Sequence, residues 1–180
     1  MDLTSLQKQL ESQSGYAAPV YLWDPPFCGD MDIRIKHDGS WHYMDSPIGR
    51  EALVKLFSSV LKKEDDKYYL VTPVEKVGIV VEDVPFVITQ WQQLEGHISF
   101  TTAQGEEFIV AEEHPVVLQQ DPVNKEQLPY VLVRSNLYGR LHQNVYYQLV
   151  DIGTETTLEN GEQHLMLNSG DYQFSLGKLS

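Results

Sequence analysis

Cysteine is almost absent from this chain of 180 residues: Cys28 stands alone, so no internal disulfide can form and the fold must rest on a hydrophobic core. Basic residues are scarce as well. The 13 Lys and Arg face 26 Asp and Glu, and a formal charge of -13 repels phosphate backbones and anionic lipid, which argues against general nucleic-acid or membrane binding. No apolar run approaches the roughly 20 residues of a membrane-spanning helix. The opening MDLTSLQKQL has neither a basic start nor a signal-length apolar stretch, and with the lone cysteine it points to a cytoplasmic location. Phosphate loops of the GxGxxG or GxxxxGKS/T kind are missing, and so are HExxH and close histidine pairs. The six histidines and one cysteine therefore define no metal centre, and no cofactor is expected.

What is present is a pattern of short, alternating elements. At 42% hydrophobic content the chain can bury most of the surface its unfolded form exposes. Leu3, Leu6 and Leu10 fall at helical spacing in an N-terminal arm over 1–18. A first repeat over 19–84 and a β-rich second domain over 85–180, containing the second repeat, are expected to follow. The prolines of APVYLWDPP favour an extended segment. Ile33 and Ile35 alternate with Asp32, Arg34 and Lys36 as in a half-buried strand, and Asp38-Gly39 turns it into Trp41–Tyr43. Ser46 as N-cap and Pro47 at the first helical position predict a helix running through Leu53, Leu56, Phe57, Val60 and Leu61 to Lys63. Strands over 68–72, 76–82, 86–94, 97–102, 107–111 and 130–133 follow, with a polar loop over 119–127 and a second helix over 137–152. A hairpin over 163–176, turning at Ser169-Gly-Asp171, closes the chain.

Placed ninety positions apart, the segment from Trp41 to Arg50 and that from Val131 to Arg140 both read strand, cap, Gly-Arg and helix, with Ser46 matched to Asn136. The fold class expected is α+β, built by duplication of a hairpin-helix-hairpin motif with largely antiparallel sheets.

The run from Trp23 to Phe86, with its CGD, DGSW, SPIGR, LVTPVEK and EDVPF elements in order, together with PYVLVRSNLYGR, resembles the bacterial domain of unknown function 1285 family over nearly the whole chain after Pro19. The resemblance implies a duplicated α+β core, a C-terminal half loosely like pleckstrin-homology folds, a cleft between the halves for a nucleotide-like molecule, and a role in signalling. It carries over no catalytic residue. The TETTLENGEQ stretch departs from the family pattern.

The four arginines, Arg34, Arg50, Arg134 and Arg140, fall two to each proposed repeat. Arg50 and Arg140 are expected in the first turn of a helix, where a cation opposes the dipole by about 0.3–1 kcal/mol. Two readings account for that: a bound phosphate or carboxylate, or ion pairs with Asp30, Asp32, Glu75 or Asp83 in a structural network. Thr72, Glu75 and Lys76 share one turn and are candidates to complete an anion site, or form an ordinary solvated turn. Tyr130 and Tyr138, which flank Arg134, are the aromatics to stack on a ligand. Cys28 lacks a positioned base at any recognisable spacing, so a buried, inert thiol is favoured over a nucleophile and the chain leans away from enzymes.

The function expected is a ligand-binding or signal-transduction module that holds a nucleotide-like anion between its two domains. A protein-interaction adaptor without a small-molecule ligand is the alternative.

Overall fold

The computed structural model describes residues 3–10 and 17–180. The chain divides into two compact units, Met1–Pro85 and Phe86–Ser180. It is a mixed α+β protein whose sheets are mostly antiparallel.

In the first unit, α1 (Leu3–Leu10) buries Leu6 and Leu10, and a short 3-10 turn at Val20–Leu22 interrupts the expected extended segment. β1 (Phe27–Ile35) follows, then β2 (Trp41–Tyr43), β3 (Ser46–Pro47), α2 (Glu51–Ser58), β4 (Leu61–Glu64), β5 (Lys67–Val71) and β6 (Lys76–Val81). Alternation along β1 sends Met31, Ile33 and Ile35 inward. Trp41 and Phe57, both buried with ring centroids 6.4 Å apart, tie α2 to the sheet. Burial of a side chain such as Phe57 contributes about 1.5–3 kcal/mol.

Helix α2 begins later than its cap signal suggests. Met44 and Asp45 adopt positive φ (49° and 64°) and fold the chain back, so Ser46–Pro47 becomes an edge strand in which His42 faces Pro47. An edge strand tolerates proline because no ladder bond needs its missing N–H. Arg50, with φ -88° and ψ 105°, is the N-cap. The helix also ends earlier, at Ser58. The Ser58 and Ser59 hydroxyls donate to the carbonyls of Lys55 and Leu56 at 2.8 and 2.6 Å, which releases Leu61–Glu64 to become a strand.

The second unit opens with the meander β7 (Phe86–Leu94), β8 (His97–Thr102) and β9 (Glu107–Ile109). It continues through β10 (Val116–Gln120), β11 (Gln127–Arg134) and β12 (Leu137–Leu141) to α3 (Gln143–Ile152), and ends in the three-stranded sheet of β13 (Thr154–Thr157), β14 (Gln163–Ser169) and β15 (Tyr172–Lys178). The helix expected over 137–152 is thus a strand followed by a helix. Positive φ at Ser135 turns β11 into β12, and His142, whose Nδ1 accepts from the Asn144 N–H at 3.1 Å, is the cap in place of Asn136.

The duplication is plain in the topology, in a different frame from the ninety-residue alignment. The first sheet runs β3-β2-β1-β6-β5-β4 and the second β10-β11-β12-β7-β8-β9. In both, the first and sixth strands form the central pair, which is parallel, and a three-stranded meander extends on either side. The equivalent hairpins agree residue by residue. Tyr68↔Ile79, Tyr69↔Gly78 and Leu70↔Val77 in β5–β6 match Tyr130↔Arg140, Val131↔Gly139 and Leu132↔Tyr138 in β11–β12. The sequence signature is Tyr68-Tyr-Leu-Val71 against Tyr130-Val-Leu-Val133, each followed by a glycine in the next strand. Where the first unit has α2, the second has a single turn, His114 N–H to Ala111 C=O at 3.0 Å. The helix α3 lies outside the repeat.

Candidate functional site

Cross-strand partners share a face, so Tyr69 and Gly78, Val71 and Lys76, Lys62 and Tyr69, and Glu64 and Lys67 lie on one side of the first sheet. That side carries a groove of about 700 Å³ lined by Phe27, Asp30, Lys67, Tyr69, Lys76 and Gly78 among others. Gly78 is the residue of β6 around which this lining closes in. A Cβ at that position would collide with the Asp30 carboxylate, so the missing side chain is what lets Asp30 approach the strand, and the Phe27 ring stands 3.7 Å from the same point, at ordinary contact distance. Phe27, 55% exposed, meets Tyr69 edge to face with ring centroids 6.0 Å apart.

Two cations of this face, Lys62 and Lys76, are held by neighbours. Lys76 Nζ donates to Glu64 Oε2 at 3.0 Å and lies 4.8 Å from the centre of the Tyr69 ring. Glu64 also meets Lys62 at 3.4 Å. The Glu64 hydrogen bond holds Lys76 above the ordinary lysine range, and the same bond, with the charge of Lys76 and the contacts of Lys62, holds Glu64 below the usual carboxylate range. Tyr68, at the groove wall, is pushed up to about 12 by burial and by the charges of Asp83 and Asp66, so its hydroxyl stays a donor at neutral pH. Lys67 is exposed at the rim, and no ion pair engages it among the described residues. The set comprises an exposed aromatic ring, a carboxylate acceptor, a free cation and a fixed cation. Such a set can stack on a planar group, accept from hydroxyls and pair with an anion.

Of the residues expected to bind a ligand, Lys76 alone lines this groove, and Asp30, expected only as an ion-pair partner of an arginine, lines it as well. Thr72 is buried and stabilises its turn, its hydroxyl accepting from the N–H groups of Val74 and Glu75 at 3.3 and 3.0 Å. Glu75, in the same turn, leaves one buried carboxylate oxygen without a hydrogen-bond partner. Arg34 pairs with Glu82 at 3.3 Å, and the same carboxylate accepts from the His37 N–H at 3.0 Å. Arg50 is exposed at the N-cap rather than in the first turn, where Glu51 supplies the sign the dipole favours. In the second unit Arg134 pairs with Glu106 at 3.2 Å and packs over the Phe86 ring at 5.2 Å. Arg140 is 8% exposed and belongs to strand β12, facing the buried Tyr130, so the expectation of a helical first turn does not hold for it. Tyr138 is half-buried on the same strand.

Cys28 is exposed, not buried: it precedes the inward-facing stretch of β1, and its thiol donates to the Pro26 carbonyl at 3.3 Å. Sequence reasoning missed Phe27 and Tyr69, and it named Asp30 only as an ion-pair partner of an arginine. The signal that marks them is Gly78 inside an otherwise β-branched strand, which denotes close approach by another group. A further cluster lies in the second unit, where His164 contacts Ser175 Oγ at 2.7 Å and Glu162 Oε2 at 3.0 Å. The Ser175 hydroxyl also accepts from the Gly177 N–H at 3.0 Å, so the cluster ties β14 to β15.

No helix among the described residues is long and apolar enough to cross a membrane. No curated protein matches the chain. A crystal structure of a DUF1285 family protein from Silicibacter pomeroyi DSS-3 is similar at 41% identity, with a TM-score of 0.85 over 99% of this chain and 96% of that one. A second, of a DUF1285 family protein from Shewanella baltica OS155, shares 28% identity with a TM-score of 0.53 over 66% of this chain and 90% of that one. Two family models match adjoining stretches of the chain, the domain of unknown function (DUF1285), N-terminal domain, at residues 18–84 and the protein of unknown function (DUF1285), C-terminal domain, at residues 85–176. The chain belongs to the DUF1285 family.

Proposed function

We propose that this protein is a cytoplasmic ligand-binding module of a signalling pathway, without catalysis of its own, and that a small, nucleotide-like anion occupies the groove on the first sheet. The observation that carries the reading is the convergence at Gly78 of the Asp30 carboxylate and the Phe27 ring, with Tyr69 directly across the strand pair. In this reading Phe27 stacks on the planar group, Asp30 accepts from hydroxyls, and Lys67 and Lys76 face the anionic end. The net charge of -13 does not decide the matter, because screening over about 8 Å leaves a ligand sensitive to the groove's own charges, Lys67 and Lys76 beside Asp30 and Asp66.

The test is thermal unfolding with nucleotides, dinucleotides and small organic anions. A ligand at a hundred times its Kd adds about 2.7 kcal/mol to stability. A saturable rise in Tm that is lost in Phe27→Ala and weakened in Lys67→Ala supports the groove. A flat panel overturns the reading and favours a protein-interaction adaptor.

A further inference from the structure

We propose that the second unit carries a site for a neutral, hydroxyl-rich molecule of monosaccharide type, in a groove of about 430 Å³ formed by the ends of β7 and β8, the C-terminus of α3, and the β13–β14–β15 sheet. That volume lies within the range of about 300–1,000 Å³ typical of small-molecule pockets.

The lining is unusual for so acidic a chain, because none of its residues is charged. Ile98 and Met166, both buried, form an apolar floor, and the half-exposed Ile152 forms a wall. Around them stand three amides, Gln93, Asn168 and Gln173, and two hydroxyls, Thr154 and Thr156. Strand alternation turns the intervening Glu155 to the opposite face. Asn168 and Gln173 are directly paired across β14–β15, so their amides stand side by side. No hydrogen bond among the described residues uses the amides of Gln93, Asn168 or Gln173.

Each primary amide offers two donors and an acceptor, and each hydroxyl one donor and two acceptors. That set matches the alternating donor and acceptor character of a sugar ring, whose C–H face suits the aliphatic floor. An anion finds no counter-charge, since Lys125, Arg134, Arg140 and Lys178 are the basic residues of this unit and none lines the groove. Desolvating a charged group without a partner is costly, so the site selects neutral ligands over their phosphorylated or carboxylated forms.

The test is a titration of the isotope-labelled full chain, followed by amide NMR, with glucose, galactose, mannose, N-acetylglucosamine and myo-inositol, and with glucuronate as the charged counterpart. The expected result is saturable shifts for at least one neutral sugar, centred on residues 93, 98, 152–156, 166–168 and 173. Affinity should fall about tenfold in the Asn168→Leu, Gln173→Leu double variant, as loss of two neutral hydrogen bonds predicts. Both positions are solvent-exposed, so the variant retains the fold, which its spectrum verifies. Absence of saturable shifts with every neutral sugar, equal binding of glucuronate, or unchanged affinity in the double variant overturns the proposal.

Discussion

The Asp30 carboxylate occupies the space where a side chain at Gly78 would begin. Its counterpart in the second sheet, Gly139, has the same place in the hairpin register but different neighbours: a Cβ there would lie 3.2 Å from both Phe86 Cβ and Val133 Cγ2, and 3.4 Å from Ile88 Cδ1. One glycine makes room for an exposed polar group. The other permits close packing of a core.

The two glycines should therefore respond differently to the same change. Gly78→Ala displaces the end of one exposed side chain, so urea unfolding should show a loss below about 1 kcal/mol, while any ligand-induced rise in Tm disappears. Gly139→Ala pushes against three packed side chains and should cost about 1–3 kcal/mol. A large loss for Gly78→Ala with a small one for Gly139→Ala would contradict this account of the two sheets.

The arginine pairs differ in the same graded way. Arg34 and Glu82 have side chains 43% and 32% exposed, and Arg34→Met should cost about 0–1 kcal/mol. Arg134 and Glu106 are each 14% exposed, and burial holds Glu106 above the usual carboxylate range against the opposing pull of Arg134. Removing Arg134 leaves that carboxylate buried and unpaired by it, so Arg134→Met should cost about 3–5 kcal/mol, measured by denaturant unfolding at neutral pH.

The Glu64–Lys76 pair has an acid limb. Because the folded protein holds Glu64 below its ordinary value of 4.5, the pair contributes stability above that pH and loses the contribution as pH falls through the lower folded value. In Lys76→Met the carboxyl titration of Glu64, followed by carbon NMR, should move upward, because its largest stabilising hydrogen bond is gone. An unmoved titration would show that the pair does not form in solution.

Much of the fold was legible because it is local. Period-2 alternation at Ile33 and Ile35, the Asp38-Gly39 turn and the glycine turns at Gly96 and Gly170 each depend on a few neighbouring residues. The repeat was legible in kind but misread in frame. The match of Ser46 to Asn136 rested on cap chemistry, whereas the true equivalence runs through strand register, a long-range property that a pair such as Tyr69 and Val131 does not announce. The helix expected over 137–152 failed for a related reason, since Leu137–Leu141 pairs in parallel with β7 and tertiary pairing overrides a helical spacing.

The candidate site divides along the same line. Local pattern and composition specify an acidic α+β chain without staples, spanning helices or phosphate loops, and they mark Lys76 within the turn that closes on Thr72. The long-range fold brings Phe27, Asp30 and Tyr69 together at Gly78, because parallel pairing of β1 with β6 joins strands that are remote in the chain. It also pairs Arg34 and Arg134 with carboxylates brought from other elements. Composition and periodicity report what a residue prefers locally, whereas the partner it meets is set by which strands the buried apolar faces bring together.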